Sequence, residues 1–205
     1  MPAIDAVLIL TGGTSRRMGV DKADSAFGSD HTLLGYVHAG IGTDRRILIA
    51  GPDREYPALY LREDPPGAGP VAAIAAALSR VESRGSDVIA VIAVDTPFGI
   101  QWLLKQELDE GSDALIPRDV NDREHYLCAL YRSSSLRAAI DQLPTVTNAS
   151  MRDLISHLDV IRFADNPHTE DLSSAEVLLD INTPADLELA HSIRERLNMS
   201  SVRTS

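Results

Sequence analysis

Short runs rich in Val, Ile, Leu and Ala recur along this chain, at 6–10, 46–50, 59–61, 88–94, 114–116, 127–131 and 160–163. A strand with one wet face alternates apolar and polar residues, whereas a strand covered on both faces stays apolar throughout. The continuous runs therefore predict a mostly parallel sheet packed between two layers. Between several of them the apolar period changes to that of a helix. Val71, Ile74, Leu78 and Val81 form one stripe after Gly69-Pro70, and Leu187, Ala190, Ile193 and Leu197 form another after Thr183-Pro184. Thr183 suits an N-cap and Pro184 the first helical position. Alternating strands and helices predict an α/β fold, a three-layer α/β/α sandwich of Rossmann-like type with right-handed crossovers. The run at 127–131 breaks the rhythm. It follows a polar loop at 118–124 and precedes a helix at 135–143, and it is expected as an antiparallel edge strand.

At 205 residues and 44% hydrophobic content, the chain can bury a sizeable core. One domain is expected over 1–197, with a small polar tail at 198–205 that frays. Cys128 is the single cysteine, so no internal disulfide or paired-thiolate metal site can form, which points to the reducing cytoplasm. The run at 6–10 has no basic lead and stops at Thr11-Gly12-Gly13, as a first strand does and a signal peptide does not. No stretch has the length to cross a bilayer. A net charge of -11 argues against nucleic-acid or anionic-membrane partners, both of which reward a basic face. A small phosphorylated partner is compatible with that charge if cations gather at one place, and Arg16, Arg17 and Lys22 fall in one early loop.

That loop follows the first run directly. Gly12 and Gly13 let backbone N–H groups approach an anion with no Cβ in the way, and the three cations supply charge. No Gly-Lys-Ser/Thr follows at the spacing of a P-loop, and the pattern is not that of a dinucleotide-binding glycine motif. A different phosphate loop is required. At the carboxyl end of the run at 88–94 stands Asp95, in Asp95-Thr96-Pro97-Phe98. A carboxylate ending a buried strand puts a hard oxygen at the edge of the sheet where ligands bind. As Asp-Thr-Pro, it equally suits the cap of a helix over 99–108.

Leu10-Thr11-Gly12-Gly13, a short polar link, Arg16-Arg17-Met18-Gly19 and the pair Asp21-Lys22 resemble the signature of the molybdenum cofactor guanylyltransferase (MobA) family, within the MobA-like NTP transferases. Further matches follow in family order. Asp64 with Gly69-Pro70 resembles the family's Asp followed by Gly-Pro-Leu-Ala-Gly, Asp95-Thr96-Pro97-Phe98 its Asp-x-Pro-aromatic, and Asp180-Ile181-Asn182-Thr183-Pro184 its Asn-x-Asn-Thr-Pro. Thr11 stands where the family usually has Ala, and Ala73 where it has Gly.

The resemblance implies a nucleotide-diphospho-sugar transferase-like fold and transfer of GMP from GTP to the terminal phosphate of molybdopterin, with Mg²⁺ as cofactor. It implies nucleotide contacts at Leu10, Thr11, Gly12, Gly13, Arg16, Lys22, Asp64 and Asp95. Catalytic roles fall on Lys22, Arg17 and Asp95, with Asp95 as the metal ligand. Which of the adjacent Arg16 and Arg17 faces the nucleotide stays open, and Asp64 fits a turn as well as a binding role. His125 fits a pterin or phosphate contact or an ordinary surface position. Asp180 or Asn182 is a candidate second metal or acceptor contact. The partners implied are GTP, molybdopterin and molybdoenzyme-targeting proteins. Two alternatives share the fold: a transferase using CTP or another acceptor such as a sugar phosphate, and a non-catalytic nucleotide-binding adaptor.

Overall fold

The computed structural model describes residues 4–12, 21–29, 31–81 and 88–203. The chain begins with β1 (Ile4–Leu10), makes a 3-10 turn at Lys22–Asp24, and forms a small antiparallel pair from β2 (Ala26–Phe27) and β3 (His31–Thr32). Helix α1 (Leu33–Ile41) follows, capped by the Thr32 hydroxyl, and leads to β4 (Arg46–Ala50) and β5 (Leu59–Leu61). Next come α2 (Pro70–Leu78), β6 (Val88–Ala93), α3 (Gly99–Leu103) and β7 (Ala114–Arg118). The remainder comprises β8 (Cys128–Arg132), α4 (Ser133–Asp141), α5 (Met151–Ile155), β9 (Ile161–Asp165), α6 (Ser174–Val177) and α7 (Pro184–Arg203).

Seven strands form one sheet in the order β5-β4-β1-β6-β8-β7-β9. Successive residues of each inner strand enter opposite cores, as the pleat requires. Val7, Ile9, Ile47, Ile49, Ala90 and Ile92 face α1, α3, α6 and α7. Leu8, Leu10, Leu48, Ala50, Ile89 and Val91 face α2, α4 and α5. Both faces are thus covered, which explains why the strands carry no polar alternation. Each fully buried Val, Ile or Leu contributes about 1.5–3 kcal/mol, so the central strands dominate the stability of the sheet.

The antiparallel strand that the sequence predicts is β8, and it lies between β6 and β7 rather than at the margin. Parallel β7 and β9 continue the sheet beyond it. Cys128, Ala129, Leu130 and Tyr131 are all buried, so both faces of this strand are covered, while its place in the order is set by its pairing with β6 and β7. The two margins, β5 and β9, show the partly exposed pattern of an edge.

Two boundaries also differ from expectation. Helix α3 stops at Leu103 instead of 108, where the chain turns so that Leu108 enters the core. Helix α7 extends into the stretch expected as a tail, as far as Arg203, with neither Gly nor Pro to interrupt it after Pro184. Its start is fixed by a reciprocal cap. Asp186 N–H donates to the Thr183 hydroxyl at 3.2 Å, and the Asp186 carboxylate accepts from the backbone N–H groups of Asn182 and Thr183 at 2.9 and 2.8 Å. These bonds hold the Asp186 carboxyl below the usual carboxylate range, with the Asn182 N–H as the largest cause.

Candidate active site

A cleft of about 630 Å³ opens at the carboxyl ends of β1, β4 and β6, where open α/β sheets take their ligands. Leu10, Thr11 and Gly12 follow β1 along one wall, Gly51 and Pro52 follow β4, and Val94 and Asp95 follow β6. The entry of α2, Gly69-Pro70 with Ala73, closes the far side.

Lys22 reaches this cleft from the 3-10 turn. Asp21 caps the turn, its carboxylate accepting from Ala23 N–H at 3.0 Å. Arg54, from the β4–β5 connection, braces it by donating to Asp24 Oδ1 at 2.7 Å and to Asp21 Oδ2 at 2.8 Å. The Asp24 hydrogen bond is the largest influence raising the Arg54 guanidinium above its ordinary value, so Arg54 stays charged. A turn held at both acidic residues keeps the lysine between them aimed one way. Lys22 Nζ donates to Asp95 Oδ2 at 2.9 Å and to Asn182 Oδ1 at 2.8 Å. Residues far apart in sequence therefore meet at a single ammonium.

Asp95 does not cap a helix. Phe98 occupies the N-cap position of α3, without a side-chain bond, and Asp95 is left to face the cleft. Its backbone carbonyl accepts from Ile181 N–H at 2.8 Å, which ties the strand end to the segment carrying Asn182. Two hard oxygens, Asp95 Oδ2 and Asn182 Oδ1, thus converge on one cation. Such a pair also fits Mg²⁺, which takes few protein oxygens and completes its shell with phosphates and water.

The other sequence candidates divide. Leu10, Thr11, Gly12, Lys22 and Asp95 all line the cleft. Gly13, Arg16 and Arg17 lie outside the described residues. Asp64 is exposed and is not part of the cleft lining; its neighbours Arg62 and Glu63 are, and Glu63 Oε1 accepts from Gly67 N–H at 2.9 Å. His125 is buried beside Asp119, with Nε2 to Oδ2 at 3.4 Å, and does not line the cleft. Burial, with the charge of Asp180 adding, pushes the Cys128 thiol up to about 12, so it is no thiolate nucleophile at neutral pH.

The departure at Thr11 has a local partner. The Thr11 hydroxyl donates to the Ala50 carbonyl at 2.8 Å rather than into the cleft. Gly51, at φ +154°, leaves room for it, since a Cβ there would stand 1.9 Å from Thr11 Oγ1. Gly51→Ala is therefore expected to destabilise the protein by about 1–3 kcal/mol. Adding Thr11→Ala should recover part of that loss in thermal unfolding. Equal destabilisation with and without Thr11→Ala would show that the clash plays no part.

Residues 7–161 match the family model of the MobA-like NTP transferase domain. The chain belongs to that family. It is therefore a nucleotidyltransferase, built like other MobA-like NTP transferases around a mostly parallel sheet with helices on both sides. It is 30% identical over 192 residues to a probable molybdenum cofactor guanylyltransferase of Mycobacterium tuberculosis, covering 89% of this chain and 90% of that one. It is 33% identical over 193 residues to a protein of the same description from Mycobacterium avium, covering 89% and 92%. Among solved structures, molybdopterin-guanine dinucleotide biosynthesis protein A of Archaeoglobus fulgidus superposes with a TM-score of 0.70 at 22% identity, over 93% of this chain and 99% of that one. The 2-C-methyl-D-erythritol 4-phosphate cytidylyltransferase of Thermus thermophilus superposes with a TM-score of 0.61 at 18% identity, over 93% and 98%. Both show a shared fold. No helix among the described residues is long and apolar enough to cross a membrane.

Several cleft features carry no sequence signal of their own. Pro52, Arg62 and Glu63 read as turn residues, and Arg54 is one of many surface-type arginines until the turn at Lys22–Asp24 is folded against it.

Proposed function

We propose that this MobA-like transferase moves GMP from GTP to the terminal phosphate of molybdopterin. The observation that carries the reading is the meeting of Lys22 and Asp95, both lining a cleft that opens after Leu10-Thr11-Gly12, with Asn182 as the second partner of the ammonium. The names of the mycobacterial relatives support guanine and molybdopterin as the partners. In this reading an oxygen of the acceptor phosphate attacks the α-phosphorus of GTP. A new P–O bond forms, the bond between the α- and β-phosphates breaks, and pyrophosphate leaves.

The chemistry requires alignment and charge neutralisation rather than a covalent nucleophile on the protein. The backbone at Gly12 approaches the triphosphate, and the Lys22 ammonium neutralises charge that develops on the departing pyrophosphate. One of the adjacent Arg16 and Arg17 joins Lys22 at the same phosphates in this reading. Gly51, Pro52, Pro66 and Gly67, which line the same cleft and carry no charge, are assigned to the base in this reading. Asp95, with Asn182 beside it, would hold Mg²⁺, which supplies Lewis-acid polarisation of the phosphoryl oxygens when bound. Lys22 then exchanges its present oxygen partners for phosphate. A cytoplasmic setting and hand-over to molybdoenzyme-targeting proteins go with this reading.

A panel of nucleoside triphosphates assayed for pyrophosphate release, with and without molybdopterin and Mg²⁺, tests it. Release is expected with GTP only when both molybdopterin and Mg²⁺ are present. Preference for CTP would reassign the base, release with a sugar phosphate would reassign the acceptor, and no release with any pair would leave an adaptor.

A further inference from the structure

A second polar chain lies behind Asp95. Thr96, only 3% exposed, donates from Oγ1 to Asp180 Oδ1 at 2.9 Å. The other oxygen, Asp180 Oδ2, accepts from an Arg123 guanidinium nitrogen at 2.9 Å. One residue on, Ile181 N–H bonds the Asp95 carbonyl, and one further, Asn182 receives Lys22. The 180–182 segment is therefore pinned to the turn at 95–96 by a side-chain bond and a backbone bond, and Arg123 is the cation on the far oxygen of that side-chain bond.

Arg123 comes from the polar loop before β8, and its side chain is 66% exposed. Packing does not hold it; the carboxylate does. Asp180 also stands where the family pattern has a neutral Asn. A carboxylate there would add negative charge next to a site that must admit phosphates, and a neighbouring guanidinium cancels it. An amide in that position would make the bond to Thr96 without needing Arg123.

We propose that Arg123 and Asp180 form a positioning clamp that holds Asp95 and Asn182 together as the two oxygens that would take a divalent cation. The clamp rests on the assignment of those two residues as the cation-binding oxygens. It acts through Thr96 and the 180–182 backbone, and neither Arg123 nor Asp180 touches the reacting atoms. Groups that orient metal ligands from behind commonly cost about 10–100-fold in metal affinity when lost.

The test is Mn²⁺ uptake by the full chain with a non-reactive α,β-methylene analogue of GTP, followed by loss of the free Mn²⁺ electron paramagnetic resonance signal. Arg123→Gln and Thr96→Val are each expected to weaken Mn²⁺ on the order of tenfold. Arg123→Lys should stay close to wild type, because a single contact to Asp180 needs charge more than the guanidinium fork. The double variant Arg123→Gln/Thr96→Val should lose little beyond either single change, since both act through Asp180. Melting temperatures should scarcely move for Arg123→Gln, as exposed ion pairs add little stability. Wild-type Mn²⁺ affinity in both single variants would overturn the clamp and leave the site assignment standing. Wild-type protein that takes up no Mn²⁺ beyond the nucleotide alone would overturn both.

Discussion

Lys22→Ala is expected to lower turnover on the order of 10²–10³-fold, the loss typical of removing one preorganised charge-stabilising donor. The fold should survive it. The Lys22 and Asp95 side chains are 15% and 28% exposed, and a partly wet ion pair of this kind is worth about 1 kcal/mol or less. For a chain of this size that corresponds to a melting shift of about 2–4 °C. Asp95 stays open to the cleft and to water after the change, so no charge is stranded in the core. Single-turnover pyrophosphate release from GTP, read beside a thermal melt, separates the two effects. A variant that works within threefold of wild type would remove Lys22 from the triphosphate.

With Asp95 in its proposed role as the Mg²⁺ ligand, Asp95→Asn should be comparably severe, with a loss of about 10²-fold or more, because a metal-organised phosphoryl site draws several kcal/mol from the charge it concentrates. The substitution keeps the size of the side chain and one oxygen that can accept from Lys22. It also leaves the Asp95 backbone carbonyl free to receive Ile181 N–H. Only the negative charge is removed. The magnesium dependence of any residual activity should move to higher concentration, and Mn²⁺ uptake should weaken with it. A magnesium titration that overlays the wild-type curve would exclude Asp95 as a ligand.

Much of the sheet is legible in the sequence because both of its faces are dry: β1, β4 and β6 are continuous apolar runs, and such runs have few other homes. Direction and order are less legible. The run that becomes β8 looks like an edge from its polar lead-in, yet its position depends on pairing with β6 and β7, which local residues do not encode. At the site, Lys22 and Asp95 are found through family spacing. Their meeting 73 positions apart follows from strand order and the Arg54 brace. The Arg123, Asp180 and Thr96 chain has no fixed spacing and becomes visible only when three loops come together. Likewise the choice between Glu63 and Asp64 at the cleft is made by the backbone of a turn crowded with prolines, where neighbouring side chains diverge.

The inward position of β8 bears on how the protein emerges from the ribosome. β6, the most apolar strand, gains its β1 partner from residues already made, but its opposite flank is covered only when residues 128–132 arrive. At ordinary elongation rates that flank stays bare for a few seconds. During that time the nascent chain presents an unpaired row of backbone donors and acceptors beside Val, Ile and Ala, the kind of template on which chains stick together. Crowded overexpression should therefore deposit this protein in inclusion bodies more readily than slow synthesis in the cold.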